Sequence, residues 1–277
     1  MPASFRLLQI AYSPETLNPI SPDFAILNNL DNAKPEWYEL WPMLQYLNAT
    51  ALDDDCWLGF FSPKFTQKTG WTGANIKEFI SRQSDSLEVA IFSQAWDQIA
   101  YFKNVFAQGE VWHPGLTDLA KSVMPAIGLD VDLDRLINHS ENACFSNFLV
   151  AKPSYWRVWR DYAQRLFDLI ESGNHAVAVS GRQQVAYGHP DRLAPIRTFI
   201  QERLHSVILP DGHFEVAAYE RLREHKPFAR LFESNASECL KLEACDSLKR
   251  LYTATGEAAY LEQYAAIAET VKFTPPY

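Results

Sequence analysis

Cys56-Trp57-Leu58-Gly59-Phe60-Phe61 is an apolar run of strand length, set between Asp53-Asp54-Asp55 and Ser62-Pro63-Lys64. Apolar residues at both odd and even positions leave neither face for water, so the run predicts a central strand covered by helices on each side. Residues 5–11 are a second short β-compatible run, ending in the turn signal Tyr12-Ser13-Pro14. Residues 87–92 and 144–150 have the same character. Between these runs the apolar spacing is helical. Trp37, Leu40, Trp41, Leu44 and Leu47 share one face, and residues 94–106 and 117–127 read as helices. Residues 154–172 give the clearest helix, capped by Ser154 and striped by Tyr155, Trp159, Tyr162, Leu166 and Ile170. A further helix carries Ile196, Phe199, Ile200, Leu204 and Val207.

Residues 12–35 are rich in Pro, Asn and Asp and read as one long loop, and residues 181–191 are a polar stretch. Beyond Pro210 the pattern is helical with no strong strand, and residues 239–252 and 258–271 predict an antiparallel pair hinged at Thr255-Gly256. Strands alternating with helices imply an α/β fold, a mostly parallel sheet flanked by helices over residues 1–209. A helical C-terminal extension follows over 210–277. Ligands of such sheets bind beyond the carboxyl ends of the strands. That singles out residues 12–32, headed by Tyr12, together with 62–68 and 151–153.

Composition narrows the function classes. An apolar fraction of 47% with eight Trp and 17 Phe supports a substantial core, and aromatics also stack on sugar rings. A net charge of −9 argues against a general nucleic-acid binder, which neutralises phosphates with Lys and Arg. It leaves room for a nucleotide-sugar, whose diphosphate needs only a few local donors. No apolar run approaches the roughly 20 residues of a membrane span, and the N-terminus lacks the layout of a signal peptide. Cys56, Cys144, Cys239 and Cys245 form no CxxC pair, as expected of reduced thiols in a cytoplasmic protein.

No dinucleotide, P-loop, hydrolase-elbow or zincin motif occurs. Asp53-Asp54-Asp55 and Asp130-x-Asp132-x-Asp134 offer hard oxygen ligands, and both also suit turns or helix starts. His113, beside Trp112, Pro114 and Gly115, suits a hydrogen-bonding or basic role, or a structural one. Asn147 interrupts an apolar strand and must find partners in protein or ligand. Glu202-Arg203, among the apolar Phe199, Ile200 and Leu204, is either an internal ion pair or a contact to phosphate or sugar.

Taken in order, these segments resemble a family of bacterial proteins built on the GT-A nucleotide-diphospho-sugar transferase fold, which includes capsule and O-antigen (lipopolysaccharide) glycosyltransferases. The correspondence runs through Lys34-Pro35-Glu36-Trp37-Tyr38-Glu39-Leu40, then residues 55–65 with Lys64 standing alone for an arginine pair. It continues through His113 and Asp118, Asn147-Phe148-Leu149-Val150-Ala151, the aromatic helix after Tyr155, and Glu202-Arg203-Leu204. It covers residues 5–209.

The resemblance implies transfer of a hexosyl group from a nucleotide-diphosphate sugar to a surface-polysaccharide acceptor. The catalytic candidates it implies are His113, Asp118 and Asn147, with Tyr12, Lys64, Glu202 and Arg203 binding substrate. A donor of this class brings Mn²⁺ or Mg²⁺ in many enzymes, with ligands here unassigned. The expected partners are the donor, a glycan acceptor and polysaccharide-assembly proteins. The expected location is cytoplasmic, peripheral to the inner membrane. Two rivals stand beside it. One is a non-catalytic GT-A-like glycan- or nucleotide-binding subunit acting through a partner. The other is an unrelated α/β enzyme with an aromatic-lined pocket.

Overall fold

The structure is a computed structural model and describes residues 4–173, 175–186, 191–211, 213–219, 231–233 and 235–274. At its centre Cys56–Phe61 is a strand with all six residues buried. Leu58 and Phe60 turn to one face, where Trp156 donates its indole N–H to the Leu58 carbonyl (2.9 Å) and packs edge-on against Phe60. Trp57 and Phe61 turn to the other, against Phe24, Phe65, Ile76 and Phe148. A Cβ on Gly59 would meet the Phe61 ring at 2.8 Å and Val150 at 2.9 Å, so close packing of the sheet face explains the glycine.

The strands are β1 (Ser4–Ala11), β2 (Phe24–Asn28), β3 (Cys56–Phe61), β4 (Val89–Ile91), β5 (Leu149–Ala151), β6 (Gln184–Ala186), β7 (Leu193–Pro195) and β8 (Val216–Ala218). The main sheet has the order β2-β1-β3-β5-β4-β8, and β6 and β7 form a separate antiparallel ribbon. β1 runs parallel to β2 and β3, and β4 runs parallel to β8; β5 is antiparallel to both of its neighbours. The sheet is thus mostly parallel, with β5 reversed. Helices Leu40–Ala49 and Pro153–Glu171 cover one face and helix Gly73–Ser81 the other.

Several expectations change. Residues 12–35 are not one loop: Phe24–Asn28 pairs with β1, an apolar core hidden in sequence by its Pro, Asn and Asp flanks. Residues 144–150 are not a continuous strand, because Ser146 and Asn147 take left-handed backbone (φ 59° and 57°) and only Leu149–Ala151 pairs. Residues 94–106 break into helices Trp96–Tyr101 and Val105–Trp112, where the Asn104 side chain caps the second by accepting from the Phe106 and Ala107 N–H groups. The helix expected through Val207 divides into Arg197–Gln201 and His205–Ile208. Pro153, with its preset φ, opens helix Pro153–Glu171, so Lys152 rather than Ser154 holds the cap position.

Past residue 209 the sheet gains an edge strand, β8, from a segment expected to be helical. Helices Ala236–Thr255 and Ala258–Ala268 pack together across Gly256 (φ 75°), and the first rests on Trp96–Tyr101. Part of the polar stretch 181–191 and of the helical reading beyond Pro210 falls outside the described residues. The four cysteines are free and buried. Among the described residues no helix is long and apolar enough to cross a membrane.

Candidate functional site

A cavity of about 570 Å³ opens where the carboxyl ends of β1 and β3 meet the segment before β5. β1 delivers Tyr12. The buried Gln9 fixes the turn that follows, donating to the carbonyls of Thr16 (2.8 Å) and Asn18 (3.0 Å) and accepting from the Ile20 N–H (2.6 Å). β3 leads into the short helix Phe65–Thr69, which buries Phe65 and Thr69 and leaves Lys64 and Lys68, one turn apart, lining the cavity. Because β5 is reversed, its amino end rather than its carboxyl end reaches this side. It brings Asn147, whereas residues 151–153 lead away.

Glu39 and Glu202 supply the carboxyl groups. Glu39 follows Tyr38, which has the glycine-like backbone φ 47°, ψ −126°, a conformation that costs a tyrosine about 1–3 kcal/mol. The turn is held from below. Trp37 donates its indole N–H to Glu171 (3.1 Å), Gln201 donates to the Trp37 carbonyl (3.1 Å), and the Arg197 guanidinium lies 4.6 Å over the Trp37 ring. Enclosure pushes the Glu39 carboxyl up to about 7; the Asn147 amide (3.1 Å) and Lys68 oppose the shift, and Glu202 adds to it. Burial also raises Glu202, against the fields of Arg203 and Lys68, and it raises the Tyr12 phenol, which feels Glu39 as well. A carboxyl half-titrated near neutrality suits proton transfer at physiological pH.

Tyr12, Lys64, Asn147 and Glu202, all expected from sequence, therefore meet in one cavity. Three other candidates lie outside it. Arg203 is buried and fully engaged, donating to the carbonyls of Val105 (2.8 Å) and Phe199 (2.8 Å) and to Gln108 (2.6 Å). It clamps Val105–Trp112 to Arg197–Gln201 and points away from its neighbour Glu202. His113 stacks on Phe199 with ring centroids 3.4 Å apart. Burial, then Arg203, pushes it down to about 4, against a bond to the Ala186 backbone. Asp118 is exposed in the first turn of helix Leu116–Ala126, where a negative charge suits the helix dipole.

Glu39, Lys68, Tyr38 and Gln201 line the cavity without having been singled out as site residues. The four-residue spacing of Lys64 and Lys68 after a strand was the available signal for Lys68.

Asp53-Asp54-Asp55 lies at the amino end of β3, in a groove of about 930 Å³ on the side opposite the cavity, and Asp54 pairs with Arg157. In the other acidic run the Asp132 side chain accepts from the Asp134 N–H (2.9 Å) in a turn, and Asp134 pairs with Lys121 (2.8 Å). Among the described residues no three His, Cys, Asp or Glu side chains gather to hold a metal. The cavity offers two carboxyls, one already bonded to an amide, facing two ammonium groups. A divalent ion there would have Glu39, Glu202 and a donor's own phosphates as ligands, and would compete with the two ammonium groups for those phosphates. The cavity itself offers a diphosphate direct cationic contacts. Comparison with protein-family models, curated proteins and solved structures returned no match.

Proposed function

We propose that the chain is a glycosyltransferase whose cavity takes a nucleotide-diphosphate sugar and passes its hexosyl group to a hydroxyl of a surface-polysaccharide acceptor. The observation that carries this is the meeting of Glu39 and Glu202 with Lys64 and Lys68 at the carboxyl ends of β1 and β3. Lys64 and Lys68 stand for the diphosphate. The exposed Tyr12 and Tyr38 at the cavity offer flat faces to a sugar or a base. Glu39 takes the proton of the acceptor hydroxyl as its oxygen bonds to the anomeric carbon. The bond from that carbon to the phosphate oxygen breaks, and its electron pair leaves on the diphosphate, where the two ammonium groups neutralise it. Glu202 and the Asn147 N–H not bonded to Glu39 remain for sugar hydroxyls. The ordered segments from Lys34 to Leu204 and the mostly parallel, helix-flanked sheet support the same reading.

The test is turnover of a panel of UDP- and GDP-hexoses, with and without Mn²⁺, by wild-type and Glu39→Gln protein. Donor consumption by the wild type, lost in Glu39→Gln while donor binding persists, is the expected result. Binding without turnover in the wild type would favour the non-catalytic subunit. No binding of any donor would remove both.

A further inference from the structure

Tyr155, His205, Asn147 and Glu39 form one hydrogen-bonded line from the core to the cavity wall. The Tyr155 hydroxyl and His205 Nδ1 are 2.6 Å apart, His205 Nε2 and Asn147 Oδ1 3.1 Å, and Asn147 Nδ2 and Glu39 Oε2 3.1 Å. Each polarity follows from the next. Asn147 donates its NH₂ to Glu39 and turns its carbonyl oxygen to His205, the arrangement that suits an ionised carboxylate. That oxygen only accepts, so Nε2 carries the ring proton. His205 is fully buried beside Tyr155, Trp156 and Trp159, and burial pushes it down to about 3, so the ring is neutral. Its bare Nδ1 then accepts from Tyr155, whose phenol burial holds far above the usual range. All three donors point toward Glu39.

The backbone is bent to make this line. Ser146 and Asn147 are consecutive non-glycine residues in left-handed conformation, and such strain persists only where the surroundings over-determine it. Gln94 holds the Ser146 hydroxyl (2.9 Å), Ser93 accepts from the Phe145 N–H (2.8 Å), and Ser206 accepts from the Cys144 N–H (2.9 Å). These contacts fix where the Asn147 amide can point.

We propose that Tyr155 and His205 are positioning residues which, through Asn147, orient the Glu39 carboxyl and favour its ionised, proton-accepting form. With Oε2 committed to the amide, Oε1 is the oxygen left to exchange a proton with a ligand. The other charges facing Glu39 act directly: Lys68 favours the carboxylate, Glu202 opposes it, and Lys64 and the Tyr12 phenol share the cavity. The line influences turnover only if the cavity is the reaction site proposed above, whereas its effect on Glu39 is measurable without substrate.

The experiment is a ¹³C-carboxyl NMR titration of the full chain, with the Glu39 resonance assigned by its loss in Glu39→Gln. Tyr155→Phe removes a single oxygen and should raise the Glu39 midpoint by about half a unit. His205→Phe removes the donor to Asn147 and should raise it by about one unit. His205→Gln keeps one donor and one acceptor and should bring the midpoint back toward wild type. Loss of packing alone would lower thermal stability without moving the midpoint in this order. A Glu39 midpoint unmoved in folded Tyr155→Phe overturns the proposal even if His205→Phe fails to fold. Donor turnover then tests the function separately.

Discussion

Two buried polar clusters in this molecule differ in one respect. Under helix Ala236–Thr255, Asp246 accepts from both the backbone N–H (2.8 Å) and the hydroxyl (2.7 Å) of Ser140. Lys249 donates to the carbonyls of Ile99 and Phe102 and lies 5.4 Å over the Tyr264 ring. His139 is bonded at both ring nitrogens, to the Glu141 N–H and to Thr253. That cluster is closed on itself. The line ending at Glu39 is open at one end, where a carboxyl raised toward neutrality and two lysines line the cavity. Buried polarity that saturates itself fastens one element to another, and buried polarity left with a free end is available to a ligand.

Lys249→Ala leaves the buried carbonyls of Ile99 and Phe102 without their charged donor and removes the positive field beside Asp246, so it should cost about 1–3 kcal/mol in denaturant unfolding, with no effect on donor binding once the protein is folded. Lys249 also sets a pH signature. Burial pushes it down to about 8, against about 10.4 in an unfolded chain. Between those values the unfolded state binds more protons, so this group makes stability rise with pH through that window. Lys249→Met should flatten the rise.

The open end should behave in the opposite sense. Glu39 is raised to about 7, so its contribution to stability is present below about 4.3 and is lost as pH rises through 7. Glu39→Gln should therefore stabilise the protein by about 1–3 kcal/mol at pH 8 while abolishing turnover. A substitution that destabilises at that pH would place Glu39 among the structural groups instead. His113, His139 and His205 all sit below the usual imidazole range. Stability should thus fall as pH drops below about 6.5, where the unfolded chain takes up protons that the folded one excludes. Circular-dichroism melts from pH 4 to 9 would resolve both limbs.

Tyr38→Gly should relieve the positive φ and raise stability by about 1 kcal/mol. Asp118→Ala, on an exposed helix surface, should change stability by no more than about 0.5 kcal/mol and leave donor binding unchanged.

The sequence carried the central strand, the mostly parallel sheet, the long aromatic helix and the C-terminal helix pair, because their apolar periods are local. It also put Tyr12 and Lys64 just past strand ends, and both line the cavity. It hid β2, a five-residue strand among turn formers, and the reversal of β5, which long-range pairing alone decides. That reversal is what brings Asn147 to the cavity. Glu202 and Arg203 are adjacent in sequence but point to different places, one to the cavity and one into the core between two helices. Composition cannot separate such neighbours. Glu39 stood within a quoted segment, but its importance depends on the strained Tyr38 turn and on an amide more than a hundred residues away.

The most direct measurement is calorimetric titration of the UDP- and GDP-hexose panel into three proteins: wild type, Lys64→Ala/Lys68→Ala and His113→Ala. The expected result is donor binding by the wild type, retained in His113→Ala. In the double variant it should weaken about tenfold for each ammonium lost, the size of one charge-assisted contact. Binding that survives loss of both lysines but disappears with His113 would place the ligand elsewhere and contradict the assignment of this cavity.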